Sequence, residues 1–383
     1  MTSRMVMVRF AAVGVALASL STAARAQGTL GAQGFGYPPG QLSVYARATG
    51  GAMAEDDALS PLNPAAIAFL QRGGLYLQSE QENRSLDAGG RSGGTRAYRF
   101  PLFAAALPVG ARAMVAVSFS TLLDRTWGTT TRGVAEFGDE TVEFTEQFRA
   151  QGALNDVRIA ASWGLRPDLV VGAGVHFFPG ENRLSVSRVF DDSLSFAPLR
   201  DSSNVNYFGT GYSLGVLWRP NRAFSVGASG RIGRTLKLRE GDTLRTQADV
   251  PSRFGVGVHY DVFPGTTVAL RADRTLWSKM AGLGSEQSAP EDSWDFGLGL
   301  DAVGPRVIGT ELALRGGIRR RTLPFRAGGE LVRETAFTLG TGTPFAGGRA
   351  SVDLFLERAA RSAGDVDAKE RSWTFGLGLT VRP

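Results

Sequence analysis

The chain contains no cysteine among its 383 residues. This absence excludes a disulfide scaffold and any metal site built from thiolates. Long apolar runs are absent as well, because no stretch beyond the N-terminal leader approaches the ~18 uncharged apolar residues of a membrane-spanning helix. If the chain crosses a membrane, it must therefore cross with strands.

The start of the chain has the three parts of a secretory signal peptide in the expected order. Arg4 and Arg9 form a basic region, residues 10–20 are apolar but too short to span a bilayer, and Ala24-Arg25-Ala26 offers a small-x-small cleavage site. We predict cleavage before Gln27 and export of the mature chain. An N-terminal core helix is the alternative.

The basic residues form no patch. The formal charge of +6 includes three arginines of the leader, so the mature chain carries 42 minus 3, or 39, basic residues against 36 acidic ones. They are scattered along the chain, whereas a nucleic-acid-binding protein clusters them on one face. We expect no nucleic acid as a partner.

Three similar pentapeptides, at residues 254–258, 296–300 and 375–379, alternate a bulky apolar residue with glycine. This two-residue period is that of a β-strand whose faces meet different surroundings. Glycine gives a soluble core nothing to pack, whereas in a membrane barrel the apolar face meets lipid and the small face lines the lumen. The repeats therefore favour a transmembrane β-barrel over a soluble sandwich or propeller.

From about residue 74 onward the sequence reads as strand, connection, strand. About fourteen strands are predicted, an even number as in bacterial outer-membrane barrels. They cover residues 74–86, 91–107, 112–123, 150–164, 169–190, 205–218, 222–239, 246–261, 266–278, 291–302, 306–320, 331–340, 349–358 and 371–381.

The predicted connections alternate strictly between short and long. Such alternation is typical of barrels with tight periplasmic turns and long external loops. If the N-terminus is periplasmic, every short turn and the C-terminus are predicted to be periplasmic as well. The short links are 108–111, 166–168, 219–221, 262–265, 303–305 and 344–348, and the long ones 124–149, 191–204, 279–290, 320–330 and 359–370.

Alternation within single strands assigns side chains to the lumen. In residues 311–319 the leucines and the isoleucine share one face, whereas Arg315 and Arg319 share the other. Charges belong in the lumen, because an arginine at the lipid midplane costs ~2–4 kcal/mol. The same argument places the only two histidines, His176 and His259, on the lumen face.

Candidates for catalysis are few. A lone lumen histidine is more often a hydrogen-bonded wall residue than a catalyst, and an outer-membrane phospholipase would need its serine and histidine on the lipid side. The acidic pairs at residues 56–57 and 191–192 could bind calcium weakly. The favoured interpretation is that they are solvated charges in loops. We expect no enzyme, no catalytic residue, no cofactor and no metal site.

Residues 28–73 do not alternate, and they carry the most specific motif. Asn63 followed by Pro64 predicts the start of a helix, because the asparagine oxygen can cap it and proline suits its first position. A capped surface helix behind a flexible glycine-containing leader is the alternative. The glycines of the predicted wall leave room inside it, and residues 43–70 are the best candidate to fill that room.

Residues 46–52, 55–58 and 63–65 resemble the start of the FadL/TodX family of long-chain fatty-acid and hydrocarbon transporters, and residues 306–381 are similar to its last strands. The resemblance implies a fourteen-strand barrel closed on the periplasmic side by an N-terminal hatch. The hatch would include Gly50, Gly51, Asn63, Pro64 and Ala65. The implied organisation is a signal peptide (1–26), a hatch (27–73) and an outer-membrane barrel (74–383).

The resemblance also implies a function. A protein of this kind transports hydrophobic small molecules of the fatty-acid or hydrocarbon class across the outer membrane of a Gram-negative-type bacterium. Its expected partners are outer-membrane lipid, the hydrophobic ligand and, during biogenesis, the barrel-assembly machinery. The alternative is a non-transporting barrel that acts as a shuttle or docks secreted or surface partners. A hydrophobic lumen favours transport, a polar lumen with long ordered external loops favours docking, and an open water channel indicates a diffusion pore.

Overall fold

The protein is described by a computed structural model that covers residues 25–27, 34–70, 72–89, 91–137, 140–283, 289–307, 310–364 and 368–382. Residues 1–24 of the predicted signal peptide lie outside the described residues. No helix in the described ranges is both long enough and apolar enough to cross a bilayer.

In the ranges just given, seventeen strands form one antiparallel sheet. In chain order they are β1 (Arg25–Gln27), β2 (Gly74–Ala88), β3 (Arg91–Val109), β4 (Ala113–Asp124), β5 (Trp127–Phe137), β6 (Glu140–Arg166), β7 (Leu169–Phe190), β8 (Leu199–Trp218), β9 (Phe224–Glu240), β10 (Thr243–Asp249), β11 (Ser252–Phe263), β12 (Thr266–Leu276), β13 (Ser293–Val307), β14 (Thr310–Ala327), β15 (Glu330–Phe345), β16 (Ala350–Ser362) and β17 (Ala368–Val381).

The sheet closes into a barrel of fourteen wall positions. β17 pairs with β2 along its whole length, from Val381 opposite Leu75 to Ala368 opposite Ala88. β4 and β5 share one wall position along β6, and β10 and β11 share another along β9. β1 pairs with β5. The predicted barrel of fourteen antiparallel strands is therefore confirmed.

Four of the five long connections are shorter than predicted, whereas the connection predicted at 279–290 extends from 277 to 292. Most of the predicted link 124–149 is β5 and the start of β6, and the link 320–330 shrinks to the turn between β14 and β15. Paired strands satisfy each other's backbone groups, so these hairpins continue as ladder beyond the predicted strand ends. The predicted turn at 303–305 was also wrong, because β13 continues to Val307.

One predicted strand is interrupted. Residues 246–261 divide into β10 and β11 at Val250 and Pro251. Proline has no amide hydrogen to donate to a ladder, and the amide of Val250 turns to the carbonyl of Arg234, 3.0 Å away.

The two faces of the wall are as the pentapeptides predict. Phe254, Phe296 and Phe375 are each about half exposed on the outer face, at 49, 49 and 50%. The glycines that alternate with them point inward. We call the end of the barrel that holds Gly74 and Val381 the short-turn end, and the opposite end the long-hairpin end.

Residues 34–70, here called the inner segment, lie inside the barrel. They contain one α-helix, α1 (Val44–Ala48), and two 3-10 helices, Ala52–Glu55 and Pro64–Leu70. Ser43 caps α1 by accepting a hydrogen bond from the amide of Ala46 at 3.1 Å. α1 contacts β14 to β17, the first 3-10 helix contacts β9 and β11 to β13, and the second contacts β4 and β6 to β8. Two more 3-10 helices, Trp277–Leu283 and Ala346–Gly348, lie in the connections.

Candidate functional site

The inner segment rests on the glycines of the wall. A Cβ atom added to Gly297 would lie 2.6 Å from the carbonyl oxygen of Gly50, and one added to Gly227 would lie 2.8 Å from Oδ1 of Asp56. Real Cβ atoms do not approach a backbone atom this closely, so position 297 requires glycine, whereas a side chain at position 227 would displace neighbouring side chains. The inner segment also approaches Gly172, Gly215, Gly255, Gly257, Gly299, Gly317, Gly340 and Gly378.

The Asn-Pro-Ala element ties the inner segment to the wall. Asn63 Nδ2 donates to the carbonyl of Glu55 at 3.0 Å and to that of Val216 at 3.3 Å. Its Oδ1 accepts from the amide of Ala65 at 3.0 Å. A helix begins at Pro64 as predicted, although it is a 3-10 helix. Asn63 therefore caps the helix and anchors it to β8.

Gly50 and Gly51 turn the chain between α1 and the first 3-10 helix. Their φ angles of 63° and 79° lie in the left-handed region, which glycine adopts without steric cost. At Gly50 an added Cβ would also lie 2.8 Å from the backbone of Ile318. The turn and the close approach to β14 both require glycine at this position.

Ion pairs line much of the inner wall. Arg231 Nη1 lies 2.9 Å from Asp156 Oδ2, and Arg321 Nε lies 2.6 Å from Glu334 Oε1. We call this set of residues the charged belt. It comprises Glu82, Arg99, Asp124, Asp156, Arg231, Arg253, Asp273, Asp295, Arg319, Arg321, Glu334 and Arg361.

Tyr37 of the inner segment inserts into the belt. Its hydroxyl donates to Glu334 Oε2 at 3.1 Å and accepts from Arg361 Nη2 at 3.0 Å and from Arg321 Nη2. Four guanidinium groups lie 4.7 to 5.6 Å from the centre of its ring. Tyr37 is thus held by cation–π contacts as well as hydrogen bonds.

Two acidic residues of the inner segment have opposite electrostatic environments. Burial raises the pKa of Glu55, but Arg253 and Arg271 outweigh burial and hold that pKa below its usual range. Burial also raises the pKa of Asp57, and there hydrogen bonds from Ser43 and other neighbours only partly offset it. Glu55 is therefore a charged anchor, whereas the charged form of Asp57 is disfavoured.

His176 belongs to a hydrogen-bonded chain across β6, β7 and β8. Its Nδ1 lies 2.7 Å from Asp156 Oδ1, and its Nε2 lies 2.8 Å from Ser213 Oγ. Nucleophilic catalysis needs this order of groups, but Ser213 is only 2% exposed. A Cβ added to Gly174 would lie 2.7 Å from its Oγ. The three hydrogen-bonded side chains connect three wall strands, and the serine among them is not exposed as a nucleophile.

The other three predicted lumen residues also face inward and contact the inner segment. His259 Nδ1 lies 3.1 Å from Asp56 Oδ2. The guanidinium of Arg315 lies 4.6 Å from the ring of Tyr45. Arg319 Nε lies 2.9 Å from Asp295 Oδ1, and its guanidinium approaches the inner segment at Gly40.

The long-hairpin half of the lumen is filled by apolar side chains. The 3-10 helix Trp277–Leu283 contributes Trp277 and Met280 to this filling, although the sequence predicts a strand up to residue 278 and a charged link from residue 279. We call the group the apolar cluster. It comprises Phe35, Tyr37, Leu86, Leu122, Leu123, Leu154, Phe178, Val205, Tyr207, Leu236, Val250, Trp277, Met280, Leu323, Phe325, Ala327, Val332 and Ala363.

The pairing between two neighbouring wall strands, β3 and β4, is interrupted next to the apolar cluster. We call this interruption the seam. The ladder between β3 and β4 stops at Leu102 opposite Ser120, next to Pro101, which has no amide hydrogen. Beyond this point Tyr37 takes the place of a strand, because its amide and carbonyl exchange hydrogen bonds of 2.7 and 2.8 Å with Asp124. The inner segment therefore covers the seam.

Solved structures share this architecture. A FadL homologue from Pseudomonas aeruginosa is 13% identical, and the match covers 91% of this chain and 99% of that one with a TM-score of 0.62. The Pseudomonas putida toluene transporter TodX is 13% identical over 88% of this chain and 96% of its own, with a TM-score of 0.57. The monoaromatic hydrocarbon channel CymD is 14% identical over 89% and 97%, with a TM-score of 0.55.

No protein-family model and no curated protein matches the chain. The similarity to the solved barrels is therefore one of structure, and at this level of identity it shows a common fold. The resemblance predicted from residues 46–65 and 306–381 is confirmed in that sense. The chain has the fold of the FadL- and TodX-type barrels.

Proposed function

We propose that the protein transports hydrophobic small molecules, of the fatty-acid or hydrocarbon class, across the outer membrane. The observation that carries this proposal is the apolar cluster. Its side chains, Leu86 and Phe325 among them, give the closed lumen a hydrophobic interior. A polar solute gains nothing from such an interior, whereas an apolar one exchanges water for apolar contacts. The similar folds of a toluene transporter and a hydrocarbon channel support the same class.

The direction of the barrel follows from its two ends. Short turns are periplasmic in bacterial barrels and long hairpins are external, so the short-turn end is assigned to the periplasm. Residues 1–26 are the export signal in this proposal, residues 27–73 the hatch and residues 74–383 the barrel. Outer-membrane lipid covers the apolar outer face, and the barrel-assembly machinery inserts the chain.

The inner segment is the hatch in this proposal. Its contacts with the wall glycines and the charged belt close the lumen between the apolar cluster and the periplasm. A hydrophobic molecule enters from the long-hairpin end, replaces part of the apolar cluster and leaves when the inner segment moves. The seam beside Tyr37 offers the same molecule a way into the bilayer.

Uptake into vesicles that contain the purified barrel tests this function. Labelled palmitate and hexadecane are suitable probes, because they share the chain length and differ in the head group. We expect faster accumulation of at least one probe than in empty vesicles, and slower accumulation for Phe325→Asn, which places an amide in the cluster. Leu194→Asn changes a leucine that is 99% exposed and serves as the matched control.

A shuttle or docking protein gives a different result. Transport is contradicted if two results hold together. The purified barrel carries no hydrophobic ligand by native mass spectrometry, and neither probe enters vesicles that contain the barrel faster than it enters empty vesicles. The long hairpins then become the candidate surface for a secreted or surface partner.

A further inference from the structure

Arg158 differs from every other arginine buried in the lumen. It is 2% exposed, and in the described part of the chain no carboxylate lies within ion-pair distance of it. Its Nε and Nη1 have no hydrogen-bond partner among the described residues. The other buried arginines all form ion pairs, namely Arg47, Arg231, Arg253, Arg271, Arg319, Arg321 and Arg361.

The carboxylate closest to Arg158 along its strand is already engaged. Asp156 Oδ1 bonds to His176 at 2.7 Å, and Asp156 Oδ2 bonds to both Gln41 and Arg231 at 2.9 Å. A buried charge without a partner is costly. Arg158 is therefore poised to gain from an anion that the chain itself does not supply.

Arg158 lines a narrow cleft of about 10 Å³ between the inner segment and the wall. Ser118, which lies opposite Arg158 on β4, lines it too, and its Oγ also has no partner among the described residues. Arg382 lies toward the short-turn end with an unpartnered Nε. Among the described residues no acidic side chain lines the cleft, and Leu59, Leu70 and several alanines form most of its surface.

We propose that this Arg158 cleft binds the carboxylate head of a hydrophobic acid as it passes from the lumen toward the short-turn end. A guanidinium presents a planar pair of donors that matches a carboxylate, and Ser118 adds a hydroxyl donor. The leucines and alanines suit an apolar tail. The proposal rests on the transport function above and adds a site that distinguishes an acid from a neutral hydrocarbon.

The cleft must widen to take such a ligand. Its volume is close to that of one water molecule. Leu59 and Leu70, which form its inner side, are only partly buried and belong to the inner segment. Movement of the inner segment therefore opens the cleft and exposes Arg158 in a single step, and Arg382 offers the acid a second cation farther along.

Binding of palmitate, methyl palmitate and hexadecane to the full-length barrel tests the site. Native mass spectrometry of wild type, Arg158→Met and Arg158→Lys across a concentration series gives the apparent Kd for each probe. We expect Arg158→Met to weaken palmitate binding at least tenfold, equivalent to about 1.4 kcal/mol. Arg158→Lys keeps the charge and retains part of the affinity, and the two neutral probes bind all three proteins alike.

A matched control separates this site from a general effect of charge. Arg320→Gln removes an exposed arginine on the outer face of β14 and should leave palmitate binding unchanged. Heat resistance of the folded barrel gives a second readout. Loss of an unpaired buried cation should leave it unchanged or raise it, whereas loss of a structural arginine lowers it.

The outcomes are distinguishable. If palmitate and hexadecane both bind wild type and Arg158→Met equally well, the Arg158 site is overturned while transport stands. The site is also overturned if Arg320→Gln weakens palmitate binding as much as Arg158→Met, or if Arg158→Met lowers heat resistance and all probes weaken together. If no probe binds wild type, the proposed function itself fails.

Discussion

Gly317 of β14 lies directly against the backbone of Thr49 in the inner segment. A Cβ added at Gly317 would overlap the carbonyl group of Thr49 and the amide of Gly50. The neighbouring Gly316 points to the outer face, where an added Cβ would make ordinary contacts of 3.7 Å with Leu339 and Thr338. Of these two adjacent glycines, only Gly317 is needed to make room for the inner segment.

We predict that Gly317→Ala loosens the inner segment and that Gly316→Ala does not. Overpacking of this kind costs ~1–3 kcal/mol. The chain has no native cysteine, so Ala48→Cys, at a fully buried position of α1, reports docking through its reaction with a soluble maleimide. The reaction should accelerate roughly 5- to 150-fold in Gly317→Ala. Equal rates in both glycine variants would contradict the contact.

Tyr37 provides a second test of docking. Tyr37→Phe keeps the ring among its four guanidinium groups but removes hydrogen bonds to charged groups, worth about 1.5–3 kcal/mol. We expect Tyr37→Phe to lose the compact mobility of the folded barrel in gel electrophoresis at a lower temperature than wild type. Tyr98→Phe is the control, because Tyr98 is 66% exposed and bonds only to Arg96 at 3.5 Å. A larger effect at Tyr98 than at Tyr37 would argue against the anchor.

Glu55 predicts a pH dependence. Glu55→Gln leaves Arg253 without one of its two carboxylates, and breaking a buried pair costs ~3–5 kcal/mol. The folded-state pKa of Glu55 lies below its ordinary value, so its stabilisation is present above the ordinary pKa of ~4.3 and is lost as pH falls through the folded-state value. The difference in docking between wild type and Glu55→Gln should therefore be largest near neutral pH and shrink on acidification.

The control for Glu55 is an exposed pair. Glu311→Gln breaks the contact of Glu311 with Arg306. The side chain of Glu311 is 49% exposed and that of Arg306 is 74% exposed. Surface pairs contribute ~0–1 kcal/mol, so this variant should dock like wild type at every pH. A difference between Glu55→Gln and wild type that grows on acidification would show that Glu55 is not a charged anchor.

The wall could be predicted from the sequence because its signal is local. The period of two in residues 254–258 assigns each side chain to a face without knowledge of its neighbours. The number of strands follows from the turns between them. The lengths of the hairpins do not, because pairing beyond the predicted strand ends depends on which partner residues meet. That is why residues 124–149 read as a loop.

The interior was predictable only in outline. Room for residues 43–70 follows from the wall glycines, and Asn63-Pro64 marks a helix start. The ion pairs depend on register between strands, which the sequence does not state. Arg231 and Asp156 are 75 residues apart, and the lack of a partner at Arg158 is visible only once all pairs are known. Tyr37 and Gln41 carry no motif that identifies them as anchors.

A removable cross-link between the inner segment and the wall tests the account most directly. An ideal Cβ on Gly378 lies 3.1 Å from Cβ of Val44 in α1, slightly inside the usual disulfide range of ~3.5–4.5 Å. Val44→Cys with Gly378→Cys therefore allows a bridge in a chain without other thiols. We predict that the oxidised double variant takes up neither palmitate nor hexadecane and that reductant restores uptake. Uptake at the reduced rate by fully cross-linked protein would contradict a hatch formed by the inner segment.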